Sequence, residues 1–402
     1  MSLVGALIAR GYRPPAPPPA RPSYLWLGER AAAADDGASD DLATLVAALR
    51  RRLEADSDAP DPYTPLVVLP TYLERTSADD HAAIARQIGE QTRALGDTDT
   101  RLLLIGMQHP ASSAHAAELR LRQMLAAAHE ADPKLVVLGL RLEGSGKLRT
   151  VNAAIEVAEA LEARFLVLLD DDIRMEPGCL DALVTRHRRD GHGAAIGAVK
   201  QAQASNHWTG RLLRTIGASL EPARAYPHAC CMTVDLAVVA GGIPWRYVDD
   251  GYIFFELVEP GHADPLHRLL MEPAARCHHV VGGSSSGSAL AHQRRMLILH
   301  HVFLAGYPHK ARYYRRHMLF YGLRPIGARA ADPTRRAAAA RWLLKLLYFA
   351  LFIVVGTELA LRGLVGRPLA GPGWATRTID RPTEPEPARG APLAVRTKET
   401  PP

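Results

Sequence analysis

Three adjacent carboxylates, Asp170, Asp171 and Asp172, follow directly on the apolar run FLVLL (165–169). Like charges side by side repel, and nothing about the end of a strand requires them. A divalent cation relieves that repulsion. In extended backbone alternate residues share a side, so Asp170 and Asp172 can face one ion or its water shell. The plainer alternative is a polar loop capping the helix that begins near Pro177, a task that one aspartate would meet. A second acidic pair, Asp249-Asp250, lies far along the chain after the turn GGIP (241–244). A carboxylate there could take the proton of a hydroxyl, or the pair could be a solvated turn. Upstream, GSGK (144–147) reads as a flexible turn that brings Lys147 toward an anion, with Asn152 on the helix that follows. It also invites a phosphate-loop reading. That pattern needs Gly at the first position and Ser or Thr after the Lys. Arg141 and Leu148 stand there instead.

Alternating elements place these residues. Strands are predicted over 66–70, 101–106, 134–140 and 164–170, with helices over 78–94, 112–131, 149–162 and 177–188. Apolar runs alternating with amphipathic helices predict a parallel sheet covered on both faces. Ligands of such sheets bind outside the carboxyl ends of the strands. Those ends carry Pro70 to Glu74, Gly106 to Gln108, Arg141 to Gly144 and the three aspartates.

With the motifs in this order, the chain resembles the family 2 glycosyltransferases. The segments that carry the resemblance are VVLPTYLE (67–74), GSGKLRTVNAAIEVA (144–158), FLVLLDDDIRMEPGCL (165–180), GGIPWRYVDDGYIFFEL (241–257) and HVVGGS (279–284). The resemblance spans roughly 63–300, and DDDIxxEP with a later His-x-x-Gly-x-Ser is similar to the galactofuranosyl- and rhamnosyltransferase branch. It implies a GT-A fold, an α/β Rossmann-like mixed sheet with helices on both faces, and an inverting transfer from a nucleotide-diphosphate sugar. It implies Mn²⁺ or Mg²⁺ held by Asp170, Asp172 and His279. Asp171 would face the donor sugar or ribose, and Pro70, Thr71 and Glu74 would sit against the nucleoside. Lys147 and Asn152 complete the implied donor side. Asp250 would be the general base, with Asp249 beside it. The chemistry is coherent: a metal and Lys147 neutralise the leaving diphosphate, while a carboxylate on the opposite face deprotonates the acceptor.

Three departures stand out. Many relatives end the second strand in Asp-Asp-Gly-Ser, where this chain has Gly106-Met107-Gln108-His109. The Gln-x-x-Arg-Trp of processive synthases is replaced by HQRRM (292–296), which argues against a polymerase of the cellulose or chitin kind. Asp249-Asp250 replaces a frequent Glu-Asp. The cysteines Cys230, Cys231 and Cys277 beside His278 and His279 lack zinc-site spacing, and His300, His301 and His309 read as lining a basic helical surface.

The 402 residues are 48% hydrophobic and 22% charged, which excludes wholesale disorder. The net charge of +6 suits anionic partners. Four cysteines in this length exclude a disulfide scaffold and fit a reducing compartment. The expected organisation is a Pro-rich segment and helix over 1–62, the catalytic domain over 63–300, a basic-aromatic and apolar helical region over 301–366, and a disordered tail over 367–402. The N-terminus has no basic residues before its short apolar run and is not read as a signal peptide. HKARYYRRHMLFYGLR (309–324) interleaves cations and aromatics and suits an anionic membrane surface, since no nucleic-acid-binding motif accompanies it. The uncharged run Leu346–Thr357 has twelve residues, short of the ~20 needed to span a bilayer. An interfacial or core-docking helix is expected, and with it a protein on the cytoplasmic face of the membrane acting on a glycan or lipid-linked acceptor. A P-loop-like NTPase and a non-catalytic glycan- or membrane-binding relative are the competing readings.

Overall fold

The computed structural model describes residues 3–13, 23–26, 43–44, 46–47, 49–50, 65–74, 76–95, 101–144, 146–202, 230–245, 247–279, 286–314 and 335–370. The tail after 370, the segment HVVGGS beyond His279, and most of the Pro-rich stretch lie outside them. Of the helix expected within 1–62, residues 43–44, 46–47 and 49–50 are helical.

In chain order the elements are α1 (Leu3–Gly11), β1 (Tyr12–Arg13), β2 (Ser23–Trp26), β3 (Leu66–Tyr72), α2 (Ala78–Arg93), β4 (Arg101–His109), α3 (Ala114–Ala131), β5 (Leu135–Glu143) and α4 (Lys147–Ala160). There follow β6 (Phe165–Leu169), β7 (Ile173–Met175), α5 (Cys179–Asp190), β8 (Ala195–Ala202), β9 (Cys231–Asp235), α6 (Leu236–Val239), α7 (Asp249–Leu257) and β10 (Leu269–His279). The chain continues with α8 (Ser286–Gly306), α9 (Ala311–Tyr314), α10 (Arg335–Leu364) and β11 (Leu369–Ala370). The main sheet has nine strands in the order β2-β5-β4-β3-β6-β9-β8-β10-β7.

Strands β5, β4, β3 and β6 are parallel, as the pattern of apolar runs predicts. The sheet as a whole is mixed. β9 runs antiparallel to both β6 and β8, and β7 antiparallel to β10. Purely parallel pairing is therefore corrected beyond β6, while the mixed sheet implied by the resemblance is present. Side chains alternate between two cores. Val67, Leu69, Leu103, Ile105 and Val167 pack beneath α2, α3 and α5, and Leu66, Val68, Leu104, Leu166 and Leu168 face α4, α7 and α8. Burial on both faces explains why these strands read as unbroken apolar runs. Each such side chain stabilises the fold by about 1.5–3 kcal/mol relative to exposure.

β3 does not stop at Pro70. It pairs with β4 through Tyr72, but with β6 only through Val68. Beyond Val68 one side of the strand has no ladder to supply, so a residue without an N–H is tolerated.

The first and last described segments meet. α1 packs along α10, and Tyr12 pairs in parallel with Leu369. α10 also packs on α8, where Glu358 receives Arg294 at 2.6 Å and Arg362 at 2.9 Å. His301 is buried rather than on a basic surface. Its ring stacks on Phe352 at 3.9 Å, and its Nε2 lies 2.8 Å from the Phe352 carbonyl. Among the described residues no helix is long and apolar enough to cross a membrane.

Candidate active site

The carboxyl ends of β3, β4, β5 and β6 converge, and the acidic motif sits where β6 ends. Asp170 N–H donates to the Cys230 carbonyl at 2.9 Å, and the chain turns at once into β7. β7 pairs with the end of β10 so that His279 lies opposite Ile173. The backbone of His279 is thereby brought beside the three aspartates, from more than a hundred residues away in sequence.

Lys147 lies nearer the centre of the site than its sequence position suggests. The expected helix start at 149 moves to Lys147, which becomes the first residue of α4. Gly146 precedes it at φ 134°, a conformation open to glycine. The Gly146 N–H donates to Gln108 Oε1 at 2.7 Å, so this turn is pinned to β4 instead of offering that N–H to a phosphate. The ammonium of Lys147 lies 2.6 Å from Asp170 Oδ1 and 2.7 Å from Asp249 Oδ2. Burial opposes its charge, but the two carboxylates outweigh burial and hold its proton more tightly than usual.

Asp249 and Asp250 open α7, and packing locks that helix in place. Phe303 of α8 stacks on Tyr247 at 4.8 Å and on Phe255 at 4.9 Å. A Cβ on Gly251 would fall 2.3 Å from the Phe303 ring, so only glycine permits the helix to lie this close. The GGIP turn is held from α4. Asn152 bonds the backbone of Ile243 in both directions, at 2.8 and 3.0 Å, and Glu159 receives Gly241 N–H at 2.7 Å. Both polar ends of Asn152 are thus engaged in building the site.

Burial raises the carboxyl of Asp170 to about 6. Lys147 opposes that shift, while Asp172 and Asp249 add to it. Asp250 is pushed up to about 7, by burial first and then by Asp249, with Gly251 N–H donating to its Oδ1 at 2.7 Å. Asp170 thus feels Lys147, Asp172 and Asp249, and Asp250 feels Asp249, Lys147 and Asp170. Asp171 turns elsewhere, its Oδ2 accepting the Thr71 hydroxyl at 2.8 Å. Pro70 and Thr71 are buried, and Glu74 is exposed beside Tyr72.

Among the described residues no three His, Cys, Asp or Glu side chains are placed to hold a metal ion. The donor set suits one nevertheless. Asp170 and Asp172 are hard oxygen ligands of the kind Mg²⁺ and Mn²⁺ prefer. The thiols of Cys179 and Cys231 lie 3.9 Å apart in the core beneath, and Cys277 bonds to Cys231 there. Sequence reasoning missed Gln108, Glu159, His81 and Arg120. Their contacts join different elements of the fold, so no local pattern marks them.

Residues 118–237 match the model of the glycosyl transferase family 2. Together with the strand order, this gives the α/β sheet its GT-A form. No match was found among curated proteins. Among solved structures the chain is similar to a mycobacterial protein, at 17% identity and a TM-score of 0.37, covering 70% of this chain and 83% of that one. It is also similar to glucosyl-3-phosphoglycerate synthase from Mycobacterium tuberculosis in complex with Mn²⁺, UDP-glucose and glycerol 3-phosphate. There the identity is 14% and the TM-score 0.35, over 64% of this chain and 83% of that one. The same enzyme with Mg²⁺ and UDP gives 14% and 0.35, over 64% and 82%. The family match covers the acidic motif and Lys147, and stops short of Asp249.

Proposed function

We propose that this chain is a metal-dependent, inverting glycosyltransferase that moves a hexosyl or deoxyhexosyl group from a nucleotide-diphosphate donor to a hydroxyl of a glycan or lipid-linked acceptor. The observation that carries the reading is the convergence, at the strand ends, of Asp170 and Lys147 with the Asp249-Asp250 helix. Asp170 and Asp172 would hold Mg²⁺ or Mn²⁺, with His279 as a third ligand. The bound ion would neutralise charge on the departing nucleoside diphosphate. Lys147 supplies further positive charge on that side once it leaves Asp170. Asp250 takes the acceptor proton. A base works best with a pKa near the operating pH, and burial brings Asp250 to about 7. Asp249 orients Lys147 and the acceptor side. Thr71, Pro70 and Glu74 border the nucleoside, and Asn152 acts through the GGIP turn.

The catalytic unit is 63–300, and the helical region after it is a surface for anionic membrane at the cytoplasmic face. Leu346, Ile353, Val354, Leu361 and Leu364 form an exposed apolar stripe on α10, while the opposite face docks on α8. Lys310 of the basic stretch is engaged by the Phe255 carbonyl at the end of α7, so the arginines beyond it carry the charge. Calorimetry of the full chain against a panel of nucleotide sugars, with and without Mn²⁺, tests the donor reading. Binding of one donor that requires the ion is expected. Absence of binding across the panel overturns it. Sedimentation with anionic vesicles, lost on deleting 335–402, tests the surface.

A further inference from the structure

A chain of hydrogen bonds runs from α3 to the acidic motif, and chemistry sets its direction. Arg120 Nη1 lies 3.0 Å from His81 Nδ1, His81 Nε2 lies 2.7 Å from Thr71 Oγ1, and the Thr71 hydroxyl lies 2.8 Å from Asp171 Oδ2. A guanidinium only donates, so His81 Nδ1 accepts. The ring proton is then on Nε2 and goes to Thr71, whose own hydroxyl hydrogen goes to Asp171. Each group has one role, and the chain runs from a cation to a carboxyl group.

The surroundings keep it intact. His81 is 0% exposed, Thr71 3% and Asp171 7%, so bulk water cannot replace a missing partner. The ring must be neutral for Nδ1 to accept. Burial and the Arg120 charge push its pKa down to about 4, against the pull of Asp80. Arg120 also donates to the Thr76 carbonyl at 3.3 Å, and the Thr76 hydroxyl reaches Asp171 Oδ2 at 3.4 Å. The end of β3, α2 and α3 are thereby linked to one carboxyl group in the turn after β6. Asp171 stands between Asp170 and Asp172, whose repulsion would otherwise leave its side chain without a preferred direction.

We propose that Thr71, His81 and Arg120 are positioning residues that hold Asp171 in one orientation for the hydroxyls of the sugar donor. The inference rests on the glycosyltransferase reading. His81 and Arg120 do not touch the donor and act through Thr71. The hydroxyl of Thr71 is committed to this chain, so its effect on the donor is exerted through Asp171.

The test combines nuclear magnetic resonance of ¹⁵N-histidine-labelled full-length protein with calorimetry. The spectrum of the wild type shows His81 as the Nε2–H tautomer at neutral pH. Thr71→Val keeps the side-chain shape and removes the hydroxyl, and His81→Asn removes the donor to Thr71. Each weakens binding of the nucleotide sugar about tenfold, the size of one hydrogen bond to a charged group. Thr71→Ser restores it. Affinity for Mn²⁺ alone and the melting temperature of Thr71→Val stay near wild type, which a general loss of structure would not allow. Donor binding unchanged in Thr71→Val overturns the inference, as does an Nδ1–H tautomer, while the donor reading survives both. A wild-type chain that binds no nucleotide sugar overturns the donor reading and this inference with it.

Discussion

Two clusters of charge sit at opposite ends of the same parallel strands. At the amino ends of β4 and β5, Arg101 and Asp132 are 2% and 1% exposed and meet at 2.8 Å. Thr92 donates to the same Asp132 oxygen at 3.0 Å, and the Lys134 N–H donates to the other at 3.2 Å. One cation faces one anion, and neighbouring donors complete the carboxylate. At the carboxyl ends, Lys147 meets two carboxylates, Asp170 and Asp249, while Asp172 lies near Asp170 and Asp250 near Asp249. The first cluster is balanced and needs nothing further. In the second, one ammonium is shared by two carboxylates, and burial raises the carboxyls of Asp170 and Asp250. A closed ion pair serves the fold, whereas carboxylates crowded beside one ammonium are what the proposed metal-bound donor would use.

The largest expected effect breaks the acidic side. Asp172→Asn removes an ionic ligand and should abolish metal-dependent donor binding, a loss of about 100-fold or more. It should not lower the melting temperature, because it relieves repulsion. Undiminished turnover in that variant would sink the metal assignment.

Next comes Asp250→Asn, which keeps the shape but cannot take the acceptor proton. Transfer should fall by about 10²–10⁴-fold with donor and metal affinity near wild type. Asp249→Asn should do less to the chemical step and more to Lys147. If Asp249→Asn is the dead variant and Asp250→Asn stays active, the two roles are exchanged.

At the balanced pole the effect is on stability. Asp132→Asn leaves Arg101 buried without its counter-charge and should cost about 3–5 kcal/mol of folding free energy. Denaturant unfolding measures it. A loss for Asp172→Asn as large as that for Asp132→Asn would erase the distinction between the poles.

The smallest effect is graded with pH. A base must be unprotonated, so kcat/KM should rise about tenfold per pH unit below the Asp250 value of about 7 and level off above it. The buried histidines act on stability in the acid range. His81 and His187 are lowered to about 4, chiefly by burial. A depressed imidazole takes up its proton more readily when unfolded. Stability is therefore full above about 6.5 and is lost as pH falls toward 4. The melting temperature between pH 7 and 4 reads this, and His187→Phe should flatten part of it.

Much of the sheet and the core of the site is legible in the chain itself. The runs LVVLP, RLLLIG, KLVVLGL and FLVLL become β3, β4, β5 and β6, because a strand buried on both faces needs apolar residues at every position. The three aspartates stand out because adjacent like charges have no structural purpose at a strand end. Composition and local period also set the helices between them, to within about two residues. The rest depends on contacts that no local pattern encodes. β9 enters antiparallel, and β10 carries His279 to the acidic motif, through pairings between segments far apart in sequence. Lys147 looks from the sequence like a turn residue reaching for an anion. Tertiary structure alone sets it between Asp170 and Asp249, because burial makes a lone ammonium costly and two carboxylates from different elements meet it there. His81 and Arg120 are ordinary helix residues by sequence. The packing of α2 and α3 against the end of β3 makes them partners of Asp171, since a buried polar atom must find its hydrogen bond within the fold.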